Sequence, residues 1–171
     1  MAKAIFCLAN SELQAESIVE QLRISGFSNN DISVLLPDKT GTRDFAHEHH
    51  TKAPEGAAAG AGTLGVVGAA LGWLAGIGSI AIPGVGPFIA AGPIMGALGG
   101  AAAGAAVGGV AGALIGMGIP EYEAKRYEGK VREGRILISV HTDDSKERAR
   151  AKQIFDRAGA EDISSTSEAR V

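Results

Sequence analysis

Between Glu55 and Glu121 the chain carries no Asp, Glu, Lys, Arg or His, and that gap holds 20 of its 25 glycines. All 16 basic and 19 acidic side chains therefore sit in the two flanks. A chain so divided is two materials. The charged flanks can fold in water. The uncharged middle must hide its apolar surface in lipid, in an assembly or against close-packed partners.

The glycines of the middle are periodic. Gly96, Gly100, Gly104, Gly108, Gly112 and Gly116 are spaced by four, and Gly68, Gly72 and Gly76 keep the same step earlier. A step of four advances about 400° along a helix, so each set draws a slowly winding stripe without side chains. Another backbone can approach such a stripe closely, as in GxxxG pairing. The spacing predicts two helical arms, 56–82 and 93–119. Pro83, Gly84, Gly86 and Pro87 form the bend between them, since two prolines and two glycines within five residues cannot continue a helix. Each glycine costs up to about 1 kcal/mol in a helix interior, and only close packing away from water offsets so many.

Twenty-five residues of helix reach roughly 37 Å, enough to cross a hydrocarbon core of about 30 Å. The first arm, with Val66, Leu71, Trp73, Leu74 and Ile77, is a credible span, whereas the middle of the second is only Gly and Ala. It would insert with the first arm or pack inside an oligomer. The expected setting is the cytoplasmic membrane, with lipid as a partner and the charged flanks on the cytoplasmic side, where Arg43, Lys52, Lys125 and Arg126 favour them. The alternative is a soluble cytoplasmic homo-oligomer that hides the hairpins.

Each flank reads as strand, helix, strand. In the first, Lys3 to Ala9 is a short apolar run. Ser11 and Gln14 have capping-box spacing, and Ala15, Ile18, Val19 and Leu22 make one helical stripe. Gly26 is placed to end that helix, and Pro37 stops the second strand. In the last flank Arg135 to His141 is a strand. Thr142 or Asp143 is expected to cap a helix with Ala149, Ile154, Phe155 and Ala158 on its apolar face, and a last strand follows Gly159. Asp-Ile-Ser falls in the same slot in both halves, at 31–33 and 162–164. Two such units most economically make an α+β, ferredoxin-like βαβ–βαβ sandwich, because one unit alone buries too little surface. The expected organisation is a split domain of 1–37 and 134–171, a polar linker at 38–55, the helical hairpin at 56–119 and an amphipathic connector helix at 120–133.

Composition excludes several functions. Neither flank is a basic footprint and aromatic residues make up only 5% of the chain, so nucleic acid is not an expected partner. Cys7 is the only cysteine, which excludes an internal disulfide and fits a reducing compartment. Its place inside a strand marks it as a core residue rather than a nucleophile. No secretory leader is expected, since the apolar run near Met1 is too short. His47, His49 and His50 surround Glu48 and could hold a metal, but no second ligand set is near in sequence, so a polar linker is the preferred reading and no metal is expected. Gly60, Gly62 and Gly65 fit GxGxxG only because glycine is everywhere in the hairpin. No catalytic residues and no cofactor are expected. Tyr122, Lys125, Arg126 and Tyr127 in the connector helix suit a lipid headgroup interface, or else the helix packs Ala124, Tyr127 and Val131 on the domain.

The segment Gly-Ile-Pro-Glu-Tyr-Glu-Ala-Lys-Arg-Tyr-Glu at 118–128, followed by Gly-Arg-Ile-Leu-Ile-Ser-Val at 134–140, resembles the bacterial general stress protein (heat-induced stress protein) family. The order of strand–helix–strand, glycine-rich hairpin and strand–helix–strand carries the same resemblance. More distantly the layout is similar to the two-helix membrane subunit of the quinol-oxidising alternative complex III. The first resemblance implies a membrane-associated, self-assembling stress protein. The second implies an accessory subunit among partner membrane subunits. Neither implies an active site.

Overall fold

A computed structural model describes residues 3–37, 78–82, 86–92 and 109–166. It is a mixed α+β fold, with strands β1 (Lys3–Ala9), β2 (Ile32–Pro37), β3 (Gly78–Ile82), β4 (Gly86–Ala91), β5 (Ile136–Thr142) and β6 (Glu161–Ser165). Four helices accompany them among the described residues: α1 (Glu12–Ile24), α2 (Gly109–Gly116), α3 (Glu121–Arg132) and α4 (Ser145–Arg157). The flanks supply four antiparallel strands in the order β2-β5-β1-β6, and the β3–β4 hairpin extends the sheet beyond β2. Ile5 faces Val140 and Val34 faces Ile138, so the two ends of the sequence meet in the centre of one sheet.

The local reasons are legible in the chain. Ser11 caps α1 by accepting from the Gln14 N–H at 3.2 Å, while the Gln14 side chain reaches back to the Asn10 N–H at 2.6 Å. That is the expected box moved by one donor. The Gln14 amide also donates to the Ala158 carbonyl, tying the start of α1 to the end of α4. Helix α4 is capped by Asp144 rather than by Thr142 or Asp143. Asp144 accepts from the Lys146 and Glu147 N–H groups, both at 2.7 Å, and these bonds hold its carboxyl below its ordinary range. Glu147 returns the bond to the Asp143 N–H, completing a D-x-x-E box whose first residue lies one position later than expected. The apolar face is corrected with it. Ala149 is exposed and Ala151 is buried, because 151, 154, 155 and 158 follow the i, i+3, i+4, i+7 stripe.

Both faces of the sheet are covered. Ile5, Cys7, Val34, Ile138 and Val140 point toward α1 and α4. Ala4, Phe6, Leu8, Leu35 and Leu137 point to the other side, where α2 and α3 lie. Strands buried on two faces need apolar residues at every position, which is why β1 reads as an unbroken run instead of an alternation. At about 25 cal/mol per Å², a fully buried Phe6 or Leu8 contributes roughly 1.5–3 kcal/mol over leaving it in water.

The uncharged segment takes a different form where it is described. Its residues 78–82 are a strand, not the end of a helical arm, and 86–91 form the paired strand. Ile80 pairs with Phe88 and Leu36 with Ile89. The β-branched Ile80 and Ile82 and the two prolines favour extended backbone here, and the open edge of β2 supplies partners. Chain reversal falls where the bend was expected, between Ile82 and Gly86, but it joins strands. Helical structure does appear at 109–116, the end of the second arm. Among the described residues no helix is long and apolar enough to cross a membrane.

Candidate assembly surface and its anchor

Helix α2 is the one described piece of the glycine-patterned region that is helical, and α3 holds it down. It buries Val110, Ala111, Ala113 and Leu114 in the cluster formed with α3 and the second face of the sheet, leaving Gly112 half-exposed and Gly116 exposed. The bulky face thus packs on its own domain, and the glycines are less buried, with Gly116 the exposed one. A Cβ added at Gly116 would meet nothing within 4 Å.

The turn into α3 follows from the run Gly118-Ile119-Pro120. Gly118 takes φ +93°, open to glycine and strained for an L side chain, and lets the Ile119 N–H bond back to the Leu114 carbonyl at 3.0 Å. Ile119 is buried, and Pro120 precedes the first turn of α3, where its missing N–H costs nothing. Glu121 and Glu123 lie in the first turn and Lys130 and Arg132 in the last, complementing the helix dipole.

Glu128 then reaches across to α2 and accepts the Ala111 N–H at 2.7 Å, one of the donors that the first turn of a helix leaves unpaired. Its other oxygen meets Arg132 at 3.1 Å. One helix therefore caps its neighbour through a carboxylate that is only 18% exposed. On a helical wheel Glu128 stands about 40° from Ala124, at the margin of the buried stripe. An acid at that margin was the available signal, and sequence reasoning missed it.

Ala124, Tyr127 and Val131 are buried, so α3 packs on the domain. Tyr127 is not available to a headgroup interface, a correction to the expected group of four. It lies on the opposite side of the helix from Tyr122 and Lys125, with its ring 6.3 Å from that of Phe6 and the Arg126 guanidinium 6.0 Å from its centre. Its hydroxyl meets the Asp162 carbonyl at 2.5 Å and Ser164 Oγ at 2.7 Å. Burial raises its pKa to about 12. Tyr122 is 77% exposed. Lys125 pairs with Glu121 at 2.6 Å and Arg126 with Asp162 at 3.1 Å.

The other candidate residues divide by position. Gly68, Gly72, Gly76, Gly96, Gly100, Gly104 and Gly108 lie outside the described residues, as do Pro83, Gly84, His47, His49 and His50. Gly86 and Pro87 belong to β4. Cys7 is fully buried, and desolvation pushes its thiol well above the ordinary range. Among the described residues no three His, Cys, Asp or Glu side chains gather as metal ligands.

No protein-family model matches the chain, and neither a curated protein nor a solved structure matches it.

Proposed function

We propose that this chain is a non-enzymatic structural protein that assembles with copies of itself through glycine faces. Its flanks form one ferredoxin-like domain that grips the uncharged segment at two places, and the glycine faces of that segment do the pairing. The strand order β2-β5-β1-β6, with α1 and α4 together on one side, supports the ferredoxin-like reading of the flanks. The observation that carries the assembly reading is the orientation of α2. Its valine, leucine and alanines are buried in the domain, whereas Gly116 is exposed and Gly109 and Gly112 are only half-buried. A glycine repeat that served only the chain's own fold would be buried along its length, as the valine and leucine are. The motif at 118–128 supports a place among the general stress proteins, and a cytoplasmic membrane surface is the setting this reading prefers.

A second reading, a soluble homo-oligomer with the apolar segments inside, is favoured by one length. With 109–119 folded on the sheet, 93–108 is what remains of the second arm, about 24 Å as helix. A full crossing needs roughly 30 Å.

The test is the mass of the purified native protein by light scattering, with and without detergent, for the wild type and for Gly104→Leu/Gly108→Leu. The proposal expects an oligomer that breaks into smaller species in the variant while the domain keeps its melting transition. An oligomer of unchanged size would overturn it. Carbonate washing separates the settings: retention with the membrane pellet places the segment in lipid, and release as a large homomeric particle gives the second reading.

A further inference from the structure

The helical layer of α1 and α4 carries an uneven distribution of charge. Helix α1 has Glu12, Glu16 and Glu20 against Arg23 alone. Helix α4 has Lys146, Arg148, Arg150, Lys152 and Arg157 against Glu147 and Asp156. An acidic helix and a basic one thus lie side by side on one face of the sheet. They run antiparallel, because Gln14 at the start of α1 bonds to Ala158 at the end of α4, while Arg150 bonds to the Ser25 carbonyl at 2.8 Å.

The outward stripe of α1 is apolar at both ends. Leu13 is 67% exposed and Ile24 is 76% exposed, and with Tyr122 they are the exposed large hydrophobics of the described residues. They are eleven residues apart, three helical turns, so they share a face with exposed Ser17 between them. The matching stripe on α4 has exposed Ala149 at its centre, with Lys146, Gln153 and Arg157 around it. The bonds from Gln14 to Ala158 and from Arg150 to Ser25 set Ala149 level with Ile24, so the small residue of α4 stands beside the exposed apolar end of α1.

We infer that the α1–α4 layer is a second interface between copies of this chain, in which α1 of one copy lies on α4 of the other and the reverse. A twofold axis lying in the interface, parallel to the helices, exchanges the acidic and basic helices, so charge complementarity is satisfied twice. The same layer offered to an unrelated acidic or basic surface would leave one helix facing like charge. Two helices of 13 residues, about 20 Å long and roughly 10 Å apart, cover a patch smaller than a standard interface. The pairing is accordingly weak and salt-sensitive, and it acts on a face of the domain remote from the glycine stripe.

The experiment uses the full chain with single introduced cysteines, Ile24→Cys in one preparation and Ala149→Cys in the other, positions that the register of the two helices sets level with each other, Cys7 staying in its buried place. Mixed under mild oxidation at low salt, they are expected to form a disulfide-linked heterodimer at least about fivefold more than Lys125→Cys chains, whose cysteine is on the other side of the sheet. Molar salt should bring the yield down several-fold. Glu16→Lys/Glu20→Lys placed in both preparations should reduce it to the Lys125→Cys level. Confining that change to the Ile24→Cys chain and adding Lys152→Glu/Arg157→Glu to the Ala149→Cys chain should restore it. Restoration also shows that the reversed chains are folded, and Glu20→Gln offers a milder variant with the same expected direction. Cross-linking no greater than that of Lys125→Cys, cross-linking indifferent to charge reversal, or loss of cross-linking with binding of anionic vesicles through Lys146 and Arg157 would each overturn the inference. The outcome is separate from that of the glycine variants, which leave α1 and α4 untouched.

Discussion

The Tyr127 hydroxyl donates its single proton to the main-chain carbonyl of Asp162 at 2.5 Å, so Ser164 Oγ, 2.7 Å away, must be the donor in its bond with that hydroxyl. The contact falls at an irregularity in the sheet. Phe6 pairs with Ser164 and Leu8 with Glu161, so β6 carries one residue too many, and Asp162 sits there at φ +49°. Aspartate tolerates this left-handed conformation better than most residues but still at a cost. Tyr127 and the Arg126–Asp162 ion pair hold the bulge in place from the helix above.

Replacing Tyr127 with Phe should therefore loosen β6 more than it loosens the core. The expected loss is about 1–3 kcal/mol, since two polar partners are left without the hydroxyl. Urea unfolding gives the total, and hydrogen exchange should show faster opening at 161–166 than in β5.

The same hydroxyl predicts an alkaline limit. Its folded pKa is raised from 10.0 to about 12 by burial, so the native state keeps a proton that the unfolded state releases. Stability from this group is whole below about pH 10 and falls as the pH climbs toward 12. In Tyr122→Phe, tyrosinate absorbance would report Tyr127 alone, and its rise should coincide with unfolding. A rise complete by pH 10 with the fold intact would contradict the buried geometry.

Glu128 makes a sharper test of the α2–α3 unit. Glu128→Ala removes the cap on the Ala111 N–H and should cost about 0.5–2 kcal/mol. Its signature is local: faster exchange at Ala111 and its helical neighbours, with α1 and α4 unchanged.

Two glycines should respond in opposite directions to the same substitution. At Gly92 a Cβ would lie 2.0 Å from the Ile32 carbonyl oxygen, on a backbone with φ +81°. Gly92→Ala should cost roughly 2 kcal/mol or more and detach the β3–β4 hairpin from the sheet edge. Gly116→Ala meets nothing and gains helix propensity, so the domain should become a few tenths to about 1 kcal/mol more stable. Thermal melts of the two variants decide both.

What was legible in the sequence was what short-range chemistry controls. The strands and helices of the flanks, the Ser11–Gln14 pair and the buried trio of α3 follow from spacing alone. The displaced α4 cap shows the limit of that reasoning, since Asp143 and Asp144 are chemically equal and only the distance to Glu147 chooses between them. Strand β3 was hidden because the periodic glycines around Gly-Ser-Ile-Ala-Ile suggested a helix, although its β-branched isoleucines favour a strand and the free edge of β2 takes it up. The second covered face was signalled by the unbroken apolar run of β1 but not by any residue that says what covers it. Glu128 and Asp162 were invisible for the same reason: their partners are distant in sequence, and no local pattern encodes a contact between elements.

The central pairing of β1 with β5 also fixes an order of events on the ribosome. Lys3 pairs with Thr142 and Ile5 with Val140, so β1 waits for a strand made more than a hundred residues later. Until then the uncharged segment is already outside, with no closed domain beside it. Closing the roughly hundred residues between Pro37 and Ile136, rather than a two-residue turn, adds about 3–4 kcal/mol of entropy cost. The glycine-patterned region is therefore made before its domain can close.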